Sequence, residues 1–172
     1  MNKILLILLL SVLFSNCGES YKYKTEPTSA FKKIIFHTSE CFGTCPTYHL
    51  EIDSDKRVKL YAEKVYKDKI GRSYEIDSTK VGYFTGFAKD SIFLALNKET
   101  KSIGLENIEF DGVSCCDGSL KTIIVYYDGK KKILQSMFPP EEANNLIKIL
   151  YEICDKSELE RTTKFTIENY KK

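Results

Sequence analysis

Six cysteines and two histidines are the side chains of this 172-residue chain with the strongest claim to chemistry. Four of the cysteines fall in two short stretches, Glu40-Cys41-Phe42-Gly43-Thr44-Cys45-Pro46 and Ser114-Cys115-Cys116-Asp117. Four sulfurs suit a tetrahedral zinc ion, and His37 and His49 lie near the first pair in sequence. The spacing argues against it, because structural zinc sites favour C-x₂-C pairs and His49 falls on the polar side of a strand. Thioredoxin-like exchange uses C-x-x-C at a helix N-terminus, where the dipole lowers the thiol pKa. Here the spacing is C-x-x-x-C, and Cys45-Pro46 leads into strand-like sequence. The stretch Asp111 to Gly118 has the carboxylates and glycines of a calcium loop, but not its alternating acids or closing Glu, so turn chemistry explains it. There is no G-x-S-x-G and no G-x-x-x-x-G-K, and the histidines have no recognisable partner set. No enzymatic turnover, metal or cofactor is therefore expected, and a thiol redox or metal-binding module using the loop cysteines is the alternative.

Cys17 has a different setting. Met1-Asn2-Lys3 is a short positive start and Ile4 to Phe14 is an almost unbroken apolar run. A charged start, an apolar segment of this size and a cleavage site are the marks of a secretory signal. The run falls short of the roughly 20 residues that span a bilayer. Leu13-Phe14-Ser15-Asn16-Cys17 resembles the lipobox of bacterial lipoproteins, with Phe14 where Leu is commoner and Asn16 where Gly or Ala is expected. The resemblance implies that Cys17 is acylated, with palmitate or a similar chain, and becomes the mature N-terminus. With Gly18 rather than an acid next to it, it also implies passage to the outer membrane, on its periplasmic or surface face. The competing reading is an ordinary cleaved signal with Cys17 a plain cysteine.

An exported domain meets an oxidising compartment, where paired thiols close into disulfides. Cys41 and Cys45 are expected to do so locally, because Gly43 can take the positive φ of a tight loop. Pro46 biases Cys45 toward extended backbone and so launches the next strand. Phe42, Gly43 and Thr44 then form the candidate contact loop, with Phe42 at its tip. Cys154 falls on an apolar helix face and reads as a buried free thiol. Cys115 and Cys116 either remain thiols, or one of them reaches Cys41, Cys45 or Cys154.

The elements that must position these groups follow from periodicity. Residues 1–16 are the signal and 17–30 the acylated cysteine and a flexible tether, polar and marked by Pro27. Residues 31–172 are one α+β domain. Phe31 to Thr38 is strand-like, with Ile34-Ile35-Phe36 at its centre. Thr47 to Asp53 alternates, with Tyr48, Leu50 and Ile52 on one face and His49 on the other, facing solvent. Arg57 to Glu63 repeats the alternation after the turn Ser54-Asp55-Lys56, which predicts a hairpin. Tyr74 to Phe87 adds one or two strands. Asp90 is placed to cap a short helix carrying Ile92, Phe93 and Leu96. Leu120–Tyr127 and Lys131–Phe138 make a second hairpin about Asp128-Gly129, a type I′ signal. Pro139-Pro140-Glu141-Glu142 opens the clearest helix, with Leu146, Ile147, Leu150 and Cys154 on one face. Lys164 to Ile167 is a candidate edge strand. The expected fold is an antiparallel sheet built from hairpins with two helices packed on one face.

Cys41-Phe42-Gly43-Thr44-Cys45-Pro46-Thr47-Tyr48 also resembles the opening of an uncharacterised family of bacterial exported domains marked by C-F-G-x-C-P-x-Y. The resemblance runs from about Ile34 to Cys154 and implies fold and location, with no known activity. Two departures stand out: Ser54-Asp55-Lys56 lacks a glycine, and Cys115-Cys116 occupies a loop where polar residues and an Asp are expected.

Without residues 1–16 the chain keeps 25 basic and 24 acidic residues, which gives no general attraction for nucleic acid. The Lys130-Lys131-Lys132 triplet reads as a solvated strand start. The expected protein is a cell-envelope lipoprotein that works by binding, held to the membrane by its lipid. Its partner is an envelope protein, a glycan or a small ligand, and nucleic acid is not expected.

Overall fold

The alternation of apolar and polar residues builds the sheet strand by strand. A computed structural model describes residues 29–68 and 73–169. The expected signal segment, Cys17 and the expected tether as far as residue 28 lie outside the described residues. The strands are β1 (Lys33–Thr38), β2 (Thr47–Asp53), β3 (Arg57–Lys64), β4 (Gly82–Phe87), β5 (Lys121–Tyr127), β6 (Lys130–Ser136) and β7 (Glu158–Arg161). They form one sheet in the order β6-β5-β1-β2-β3-β4-β7, and every pairing is antiparallel. Among the described residues two α-helices, α1 (Asp90–Ser102) and α2 (Asn144–Lys156), give an α+β arrangement.

Tyr48, Leu50 and Ile52 are buried as their alternation requires, in register with Ala62, Leu60 and Val58 of β3. The turn joining β2 to β3 manages without glycine because Lys56 itself takes φ 67°. The Asp53 carboxylate supports it by accepting from the backbone N–H groups of Asp55 and Arg57. Asp128 and Gly129 both have positive φ, as a type I′ turn demands. The apolar face of the sheet shares one core with Ile92, Phe93 and Leu96 of α1 and Leu146, Leu150 and Ile153 of α2.

Three local expectations are corrected. Asp90 begins α1 but does not cap it: Lys89 holds the cap position without a side-chain bond, and the Asp90 carboxylate pairs with Lys56 instead. The Pro139–Glu142 segment does not open an α-helix directly. Extended Pro140 is followed by a single 3₁₀ turn, Glu141–Ala143, and α2 begins at Asn144. Finally, the last edge strand is Glu158–Arg161 rather than Lys164 to Ile167, because Gly86 of β4 admits the β7 backbone closely beside it.

Residues 162–169 cross the sheet on the face opposite the helices. The Thr162 N–H donates to the Tyr83 carbonyl of β4. Phe165 sets its edge against the Tyr83 ring at 5.2 Å. Glu168 reaches β5 and β6, accepting from the Tyr126 hydroxyl at 2.6 Å and Lys131 Nζ at 2.7 Å. This strap covers part of a face that the alternation alone leaves to water.

Candidate functional site

The antiparallel order sorts the connections to two ends of the sheet. Ser29 and Ala30, the 54–56 turn and the 128–129 turn gather where β1 starts. The loop after β1 and the one before β5 meet at the other end, since Thr38 pairs with Lys121. Strands of six or seven residues separate the ends by about 20 Å at 3.3 Å per residue. The cysteine loops therefore lie at the far end of the sheet from the point where the chain enters.

Cys41 and Cys45 are joined in a disulfide with Cα atoms 5.7 Å apart. The loop it closes is tied to its neighbour by backbone bonds. The Phe42 N–H donates to the Asp117 carbonyl at 3.0 Å, and the Ser39 N–H to the Leu120 carbonyl at 3.0 Å. The Ser119 hydroxyl donates to the Ser39 carbonyl, and the Leu120 N–H to the Ser39 hydroxyl. Gly43 and Thr44 are half-buried, whereas Phe42 is 86 % exposed, the most exposed large apolar side chain among the described residues. Phe138, also exposed, follows Met137, whose N–H donates to the Val113 carbonyl, so the three loops share one end.

Cys115 and Cys116 are both exposed free thiols. Their sulfurs stand 2.7 Å apart, Cys116 donating to Cys115. That contact, then partial desolvation, pushes the Cys115 thiol above its ordinary range. A catalytic thiol needs the opposite shift. Cys154 packs half-buried against the core, and burial followed by the Asp155 charge raises its thiol well above normal. Among the described residues no group of three or more His, Cys, Asp or Glu side chains is arranged to hold a metal ion.

His49 is the residue most misjudged from sequence. It stands on the polar face as its position in β2 requires, but it is half-buried instead of facing solvent. Its Nδ1 lies 2.8 Å from His37 Nδ1, and its Nε2 lies 3.2 Å from Glu63 Oε2. Register aligns His37, His49, Tyr61 and Tyr83 across β1 to β4. Tyr61 stacks on His49 at 5.5 Å and on Tyr83 at 4.4 Å between centroids. Desolvation lowers the pKa of His37, which the His49 neighbour reinforces and the bond to the Glu168 carbonyl opposes. The signal in the sequence was the placing of both histidines opposite apolar strand faces.

A cleft of about 1080 Å³ opens at the entry end, with Phe31, Phe87, Ala88, Phe93 and Leu94 in its lining. It contains none of the expected site residues. Asn97 Oδ1 there accepts from the Ser29 hydroxyl and the Ala30 N–H, fixing where the chain joins the domain. Among the described residues no helix is long and apolar enough to cross a membrane.

Residues 32–156 match the family described as Domain of unknown function (DUF6438). No curated protein matches the chain.

Proposed function

The chain belongs to the DUF6438 family, whose description assigns no activity, and from its own residues we propose a lipid-anchored binding domain of the bacterial cell envelope. The observation that carries this reading is the placement of Phe42. It is 86 % exposed on a loop closed by Cys41–Cys45, at the end of the sheet remote from Ser29. In this reading the attachment to Cys17 is on the Ser29 side, which leaves the Phe42 end of the sheet free for a partner. Exposed aromatic side chains on a rigid support are the common anchors of protein interfaces. A loop closed by a disulfide loses little conformational freedom on binding, which favours affinity. The C-F-G-x-C-P-x-Y stretch serves in this reading as the scaffold of the contact loop, and it works without turnover. The partner is another envelope protein, a glycan or a small ligand.

Acylation of Cys17 supplies the membrane contact, at about 0.8 kcal/mol for each buried CH₂, and several chains together anchor stably. Cys17→Ser tests it: the variant should leave the membrane fraction or accumulate as unprocessed precursor. Wild-type processing and membrane partition of that variant would sink the anchoring reading.

A thiol redox or metal-binding module is the second reading, supported by the close approach of Cys115 and Cys116. The raised pKa of Cys115 leaves less thiolate for either exchange or metal ligation, which favours the first reading over this one. A reversible dithiol couple with the potential of an oxidoreductase would reverse that preference.

A further inference from the structure

We propose that Cys115 and Cys116 form a two-thiol capture site for trivalent arsenic and antimony hydroxides. The inference goes beyond the anchored binding domain and does not depend on it. In extended backbone, adjacent side chains point to opposite faces. Here they point together, because Cys116 adopts φ 64°. The left-handed region is costly for a residue with a Cβ, and such strain persists only where the surroundings impose it. The surroundings do so from three sides. Asp111 accepts from the Val113 N–H and from the Ser136 hydroxyl at 2.6 Å. Val113 accepts from Met137, and Asp117 accepts from Phe42. The loop is thus pinned before and after the two cysteines, while both thiols remain exposed with sulfurs 2.7 Å apart.

The donor set selects the ligand. With no third His, Cys, Asp or Glu grouped for a metal among the described residues, an ion needing four protein ligands is poorly served. Soft thiolate donors favour soft acceptors, and trivalent arsenic needs only two sulfurs to close a stable ring. An organic arsonous acid, R–As(OH)₂, reacts with two thiols to form two As–S bonds. Both As–O bonds break, each hydroxide leaves as water with one thiol proton, and arsenic stays trivalent. No oxidant is consumed. The second bond forms within one molecule, where the effective concentration strengthens capture by about 10²–10⁴-fold over a single thiol.

The test uses the full mature chain and phenylarsonous acid as probe. Without reductant, so that the Cys41–Cys45 disulfide stays closed and Cys115 and Cys116 are the exposed thiol pair, intact mass should show one phenylarsenic adduct. That adduct should survive millimolar monothiol and be displaced by a dithiol such as dimercaptopropanol. Cys115→Ser and Cys116→Ser should each weaken capture by about 10²-fold or more. Cys41→Ser/Cys45→Ser should retain it, which separates this pair from the loop disulfide. An adduct that persists in Cys116→Ser, or that disappears in Cys41→Ser/Cys45→Ser, would overturn the assignment. So would capture no stronger than that of a monothiol. Membrane partition and the contacts of residue 42 would be untouched by any of these results.

Discussion

His37 Nδ1 and His49 Nδ1 face each other at 2.8 Å across paired positions of β1 and β2. Proton positions follow from the partners. The Glu168 carbonyl can only accept, so His37 Nε2 carries its hydrogen and donates at 2.8 Å. A neutral His37 then accepts at Nδ1 from His49 Nδ1–H. The far nitrogen of His49 faces the Glu63 carboxylate. A second proton on His37 would set two donors against each other and place charge beneath the strap. Thr122 neighbours His37 along the sheet, Tyr61 stacks on His49, and Lys33 and Lys131 add positive charge beside Glu168.

The burial of His37 sets a pH dependence. His37 has its pKa lowered by burial, so the unfolded chain binds a proton that the folded chain resists. Its contribution to stability is whole above the ordinary histidine value near 6.5 and is lost as pH falls toward the lower folded-state value. Thermal melts should therefore lose stability as pH falls through and below about 6.5. His37→Phe, which keeps the ring and removes the titration, should flatten that segment. An unchanged slope in the variant would place the effect elsewhere. Glu168 adds a second step below the ordinary carboxylate range, because Lys131 and then Tyr126 hold its pKa down.

Gly86 should be intolerant of a side chain. A Cβ there would stand 2.2 Å from the Glu158 carbonyl oxygen, which is backbone and cannot swing aside. Gly86→Ala should cost about 1–3 kcal/mol, the usual range for overpacking, and should detach β7. Hydrogen exchange would locate the damage at Glu158–Arg161, whose pairing with β4 depends on that approach. Protection unchanged there would contradict the steric account.

The Cys41–Cys45 bond closes a short loop, and on the chain-entropy view it stabilises by roughly 2 kcal/mol. Replacing both cysteines by serine should lower Tm by several degrees in a domain of this size. Non-reducing peptide mapping checks the pairing itself. A peptide of Cys41 or Cys45 joined to one of Cys115 or Cys116 would show the neighbouring loops stapled together instead.

The parts that could be read in advance are those fixed by near neighbours. Tyr48, Leu50 and Ile52 alternate, and a strand with one buried face follows. Asp128-Gly129 supplies the positive φ its turn needs. Cys41 and Cys45 are close enough in sequence to suggest their own bond, although the loop closes without the positive φ expected of Gly43. What escaped depends on distant segments. The polarity of its face of β2 points His49 to water, yet the strap that crosses that face comes from more than a hundred residues downstream. Its apolar content is slight, chiefly Phe165 and Ile167, so periodicity gives no warning of it. The meeting of the two cysteine loops likewise rests on β1 pairing with β5, a contact between segments more than eighty residues apart. The Asp90 cap failed because Lys56, on another element, competes for the carboxylate.

The proposed membrane-tethered domain binds its partner through the loop at the far end of the sheet. Site-specific photocrosslinking in intact cells tests it directly, with the crosslinker placed at Phe42 and, in a separate variant, at the exposed Phe87 of the entry end. A discrete adduct at position 42 is expected, absent at position 87 and weakened when Cys41→Ser/Cys45→Ser opens the loop. No adduct at position 42, or the same adduct at both ends, would rule out the Phe42 loop as the contact.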